Sequence, residues 1–126
     1  MYEVLVWLYL VTAVFLINHE IDSAFQKEWE LFHLPGGITG FLVVHFPLLF
    51  LILVGLLLLC EGRAGGLIFS LILSLSGVFA FCIHLFFIKR GKREFRSAIS
   101  LFILLATLIL SLFQGGVTLF IIFKAR

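Results

Sequence analysis

His19, Asp22, Glu28, His45 and His84, with Glu20 nearby, are the side chains of this sequence best suited to acid–base or metal chemistry. Imidazole changes its charge near neutral pH, and in its neutral form it ligates zinc, iron or copper. Carboxylates accept protons and complete such ligand sets. His19 and Asp22 stand at i and i+3, so on a helix they are neighbours that can share a proton or a metal. His45 and His84 are remote in sequence, and only the elements that carry them can bring them to the same place.

Those elements follow from the distribution of charge. Of the 126 residues, 63% are hydrophobic and 13% charged, against about 45–50% and about 25% in soluble domains. No Asp, Glu, Lys or Arg occurs in residues 4–19, 31–60, 64–88 or 97–123. A membrane helix needs about 20 apolar residues, so the last three runs span outright, and the first must draw Glu20–Asp22 to the membrane boundary. The expected fold is all-α, a polytopic membrane protein forming a four-transmembrane-helix bundle. It is one domain over residues 1–126, with helices at about 4–22, 38–59, 65–88 and 97–123. No room remains for a soluble catalytic domain. The paired glycines lack the lysine and strand of a phosphate-binding loop. A net charge of +2, with the basic residues gathered in one short loop, argues against a nucleic-acid partner. Met1-Tyr2-Glu3 has neither a basic leader nor a small-residue cleavage site, so the first helix is expected to be retained.

Lysine and arginine counts set the expected orientation. Lys27, Lys89, Arg90, Lys92, Arg93 and Arg96 fall on one side, and Arg63, Lys124 and Arg126 on the other. The loops after the first and third spans are therefore assigned to the cytoplasm, and both termini to the outside of the cell membrane. Helix rise then places His19, His45 and His84 roughly 0–3, 10 and 6 Å below one interface, all in the cytoplasmic leaflet. Cys60 and Cys82 lie roughly 25 Å apart across the bilayer, too far for a disulfide.

Periodicity indicates which faces turn inward. His19, Asp22, Ser23, Gln26, Glu30 and His33 fall within about 60° if the first helix runs on unbroken. Glu28 then lies on the apolar side with Ile21, Phe25 and Phe32, where it needs a partner in the bundle unless the helix bends before it. Gly66, Ser70, Leu73, Gly77, Ala80 and His84 share one face of the third span, and small residues there predict close helix contact. Ser97, Ser100, Leu104, Thr107, Ser111, Gln114 and Thr118 form a polar stripe on the fourth, read as interhelical hydrogen bonding or as a hydrated path towards the histidines. Pro47 frees the Val43 carbonyl, which is placed to orient His45 or hold water.

The runs His19-Glu20-Ile21-Asp22-Ser23-Ala24 and Glu28-Trp29-Glu30-Leu31-Phe32, with His45-Phe46-Pro47, Ile83-His84-Leu85-Phe86 and Glu94-Phe95, resemble an uncharacterised family of small prokaryotic four-helix membrane proteins. That family carries an H-E-x-D…E-W-x-L-F signature on its first hairpin. Ser23 stands where the family usually has alanine, and the basic loop lacks its usual aromatic and proline residues. The resemblance implies a four-helix bundle in the cell membrane and carries no assigned activity. A looser likeness, confined to the His and paired acids, is to sterol-isomerase-like membrane proteins that hold a His and a Glu in a lipophilic cavity.

Three functional classes fit these residues. In the first, His19, Asp22, His45 and His84 form a site for a divalent transition metal, or, with Glu28, for acid–base chemistry on a lipophilic ligand. In the second, the chain is an accessory subunit of a larger membrane complex, or a homo-oligomer, its 16 phenylalanines packed against neighbours. In the third, it is a small proton-coupled transporter. The acids lie at the end of the first span rather than within it, which favours the first two.

Overall fold

The computed structural model describes residues 1–91 and 97–125. Lys92, Arg93, Glu94, Phe95, Arg96 and Arg126, on which much of the charge asymmetry rests, lie outside the described residues. Four long helices, α1 (Tyr2–Phe25), α3 (Gly37–Cys60), α4 (Ala64–Lys89) and α5 (Ala98–Lys124), are each long and apolar enough to cross a bilayer. Their ends lie within three residues of those expected, because bilayer thickness imposes the length. The fold is an all-α four-helix bundle, that of a multi-pass membrane protein.

A short fifth element departs from the expectation. The first helix stops at Phe25, and α2 (Glu28–Leu31) follows after a change of direction. Lys27 has φ 55° and His33 φ 53°, left-handed conformations that L side chains rarely adopt. The sharp turns bracket α2 and break the continuous polar stripe expected over 19–33: Glu30 and His33 are exposed, whereas Glu28 is buried. Gly36, at φ 91°, then lets the chain reverse into α3.

α5 packs against α4 and α1, while α3 lies against α4 and is the least buried of the four spans. The inward faces are those that the periodicity predicts. On α4 the buried residues include Gly66, Ser70, Leu73, Gly77, Ala80 and His84, and on α5 Ser100, Leu104, Thr107, Ser111, Gln114 and Thr118. Ser97 is exposed, and its side chain caps α5 by accepting from the Ser100 amide. The polar groups of these faces bond across the helix interface. Ser70 pairs with Thr118 at 2.8 Å, Gln114 donates to the Ser70 carbonyl at 3.0 Å, and Ser74 donates to the Ser111 carbonyl at 2.6 Å. Hydrogen bonds of this kind contribute about 0.6 kcal/mol each in membrane bundles.

Near the tight turn at 61–63, α3 and α4 touch through glycine. A Cβ on Gly66 would come within 2.6 Å of the Leu59 amide nitrogen, so only glycine permits this approach. A Cβ on Gly55 would overlap the Tyr9 hydroxyl, which donates to the Ile52 carbonyl at 2.8 Å. Cys60 and Cys82 are free thiols on the exposed surface.

Candidate functional site

The C-terminal ends of α1 and α4 and the N-terminal end of α3 meet at one end of the bundle, where two His–carboxylate pairs form. His84 is buried on the small-residue face of α4. Its Nδ1 lies 2.9 Å from the Ala80 carbonyl, so Nδ1–H donates to that carbonyl and Nε2 is left facing the Glu28 carboxylate, with which it pairs. His45 is wired in the same way. Nδ1–H donates to the Phe41 carbonyl at 2.7 Å, and Nε2 lies 2.7 Å from Glu20 Oε2. The expected link to the carbonyl freed by Pro47 is therefore not used: His45 takes the carbonyl of Phe41, whose ring also stacks on it, with centroids 3.8 Å apart. Trp29 in turn packs on Phe41 at 5.7 Å, tying α2 to the His45 side.

In each pair an imidazole whose Nδ1 carries the proton meets a carboxylate through its Nε2 lone pair. Two electron-rich atoms at contact distance need a proton or a cation between them. Both arrangements are thus poised to hold one, in surroundings that exclude most water.

Among the residues singled out from sequence, His19, Glu28 and His84 come together. The His19 ring meets His84 edge-on, with centroids 4.5 Å apart. One ligand atom from each of the three lies within 4.8 Å of the others, and all three side chains are buried. His45 stands apart from this trio and is half-buried against Glu20. Asp22 is half-buried, and its carboxylate makes no hydrogen bond or ion pair among the described residues. Glu20 is the member that spacing on α1 alone does not single out. The sequence placed it beside His19, but only the position of α3 gives it His45.

The site opens on a cavity of about 640 Å³ between α1, α3 and α4. It runs from Phe41 and His45 to Ile52 along α3, which at 1.5 Å per residue is about 16 Å. His19, Glu20, Glu28 and His45 line one end. The remaining wall is apolar apart from two hydroxyls: Tyr9 is committed to the Ile52 carbonyl and Ser76 to the Ile72 carbonyl at 2.8 Å. Ile72, Leu75 and Phe79 line the cavity and are also 51%, 68% and 65% exposed. The cavity is therefore open sideways, through the face that the bundle turns to lipid.

The H-E-x-D and E-W-x-L-F runs supply His19, Glu20 and Glu28. The model of a family of unknown function, DUF6713, matches residues 5–121. The chain belongs to this family. No curated protein and no solved structure gives a significant match. Membership brings no activity with it, so the chemistry rests on the residues described above.

Proposed function

We propose that the protein binds a single-chain lipophilic molecule with a polar, oxygen-bearing head, taken directly from the bilayer. The observation that carries this reading is the asymmetry of the cavity: apolar and laterally open over most of its length, with its ionisable groups gathered at one end. Ligand sites commonly have about 300–1,000 Å³ and a few convergent polar groups, and this cavity, at about 640 Å³, matches that description. The chain enters between α3 and α4 past Phe79 and Ile72, and the head reaches His19, Glu28 and the Glu20–His45 pair. Those groups hold the head by hydrogen bonds, and a His–Glu pair that stores a proton can pass it to a head oxygen as a general acid. Residues 1–126 act as one membrane domain in this reading.

A long-chain alcohol and a long-chain carboxylic acid, each bearing a diazirine near the chain terminus, test the proposal. Photolabelling of the purified protein is expected on Leu51, Ile52 and Phe69, suppressed by excess unlabelled amphiphile. Ser76→Trp, which fills the cavity from a partly exposed position on α4, should reduce it several-fold while the helix content stays unchanged. Labelling spread evenly over outward residues such as Leu53 and Leu57, and not suppressed by competitor, would rule the site out.

The lysine and arginine distribution further supports a plasma-membrane orientation with both termini outside and the His–carboxylate end in the cytoplasmic leaflet. In a Cys60→Ser, Cys82→Ser background, a cysteine at Gly62 is expected to react with an impermeant thiol reagent on intact cells, and one at Gly91 to be protected. The reverse pattern would place the site in the outer leaflet.

A further inference from the structure

Two imidazoles and a carboxylate converge from three separate segments at the head of the cavity, and the wiring of His84 is that of a metal ligand. Metal-bound histidines characteristically donate their second ring N–H to a backbone carbonyl or carboxylate, which fixes the tautomer and aims the other nitrogen. His84 does so through the Ala80 carbonyl, leaving Nε2 on Glu28. His19 is 4% exposed, and its ring makes no hydrogen bond among the described residues. An imidazole with no protein hydrogen bond, lining the cavity beside a carboxylate and a second imidazole, leaves its nitrogens available to a ligand that joins the three. Ser23, one turn beyond His19 on α1, adds a buried hydroxyl without a partner among the described residues.

We propose that His19, Glu28 and His84 bind a divalent first-row transition metal ion, of the zinc or ferrous iron class. Donors about 2.0–2.1 Å from a tetrahedral zinc ion are about 3.3 Å apart, a spacing within the 4.8 Å spread of the three ligand atoms. Two imidazoles and one carboxylate form the donor set of catalytic zinc and non-haem iron sites, which keep at least one position for water or substrate. Here that position faces the cavity, since His19 and Glu28 both line it. One carboxylate against two positive charges leaves a net positive centre, which attracts an anionic or strongly dipolar oxygen head. The Glu20–His45 pair has the same Nδ1 wiring but no third His, Cys, Asp or Glu donor among the described residues. It therefore serves as an internal comparison.

The test uses the full chain, purified in mild detergent without a histidine tag. Elemental analysis should find about one transition-metal ion per chain, the stoichiometry of a single three-ligand site. After chelation, Co²⁺ titration should develop the intense visible absorption of a four- or five-coordinate ion and be reversed by Zn²⁺. Glu28→Gln and His84→Gln should each weaken Co²⁺ binding by at least about tenfold, as loss of even supporting groups around a metal does. His45→Gln should leave it unchanged. Spectra that remain those of aqueous cobalt, or equal weakening by His45→Gln and Glu28→Gln, overturn the proposal. The wild-type titration decides the matter even if a variant fails to fold. Photolabelling of a metal-free cavity would overturn the metal assignment alone, and a metal-loaded chain whose cavity stays unlabelled would overturn only the lipophilic-ligand reading.

Discussion

Gly77→Leu is expected to prevent α4 and α5 from closing, while Ile72→Leu on the same helix behaves like the parent protein. Gly77 is buried opposite Ser111 and Thr107. A single methyl group there would overlap the Ser111 hydroxyl and sit 3.2 Å from Thr107 Cγ2. Leucine adds three more carbons. Overpacking a core that can relax costs about 1–3 kcal/mol. In lipid no hydrophobic force draws helices together, so close contact at small residues is a principal source of association. Holding the helices apart also removes the bonds of Ser74 to Ser111 and of Ser70 to Thr118. Ile72 is 51% exposed, and leucine keeps its volume. Thermal unfolding and monodispersity in detergent provide the measurement. Equal melting temperatures would mean that the Gly77 face is not in contact with α5.

The second large effect concerns the Glu28–His84 pair. In metal-free protein, Glu28→Leu alone is expected to destabilise by about 3–5 kcal/mol, because removing one partner of a buried pair strands the other. Glu28→Leu combined with His84→Phe should recover most of that loss, since apolar groups of similar size can replace a buried pair at little net change. The three variants and the parent form a double-mutant cycle, read by denaturant-induced unfolding in mixed micelles. Additive effects would show that the two side chains do not interact in the folded protein. The corresponding cycle at Glu20 and His45 should give a smaller coupling, because that pair is partly exposed, at 21% and 14% for the two side chains.

How much of this was legible in the sequence depends on which physical constraint acts. The spans were legible because the bilayer demands a fixed length of uncharged chain. The inward faces of α4 and α5 were legible because small and polar residues recur at helical spacing, as from Gly66 to His84 and from Ser100 to Thr118. Depth counting set three histidines at one level, but depth says nothing of direction around a helix axis. That is why a single expected cluster is resolved into His84 with Glu28 and His19, and His45 with Glu20. Glu28 had two open outcomes, a bend or a buried partner, and the structure has both. The bend had no signal, since Lys27 adopts a left-handed conformation without being glycine. The cavity was equally hidden, for Leu51, Ile72 and Phe79 are the residue types that a lipid-facing surface also uses.

The positive-φ turns at Lys27 and His33 have a bearing on biogenesis. They place Glu28 on a four-residue helix that belongs to no span, tethered between α1 and α3 by short connections. Membrane insertion of the spans is driven by their own hydropathy, and neither the entry of α1 nor that of α3 requires Glu28 to be in place. Its partner His84 is carried on α4, which emerges from the ribosome after both. The carboxylate therefore has no His84 to pair with until α4 arrives. Closure of the site cannot precede the arrival of α4, so a chain that ends before α4 cannot reach it.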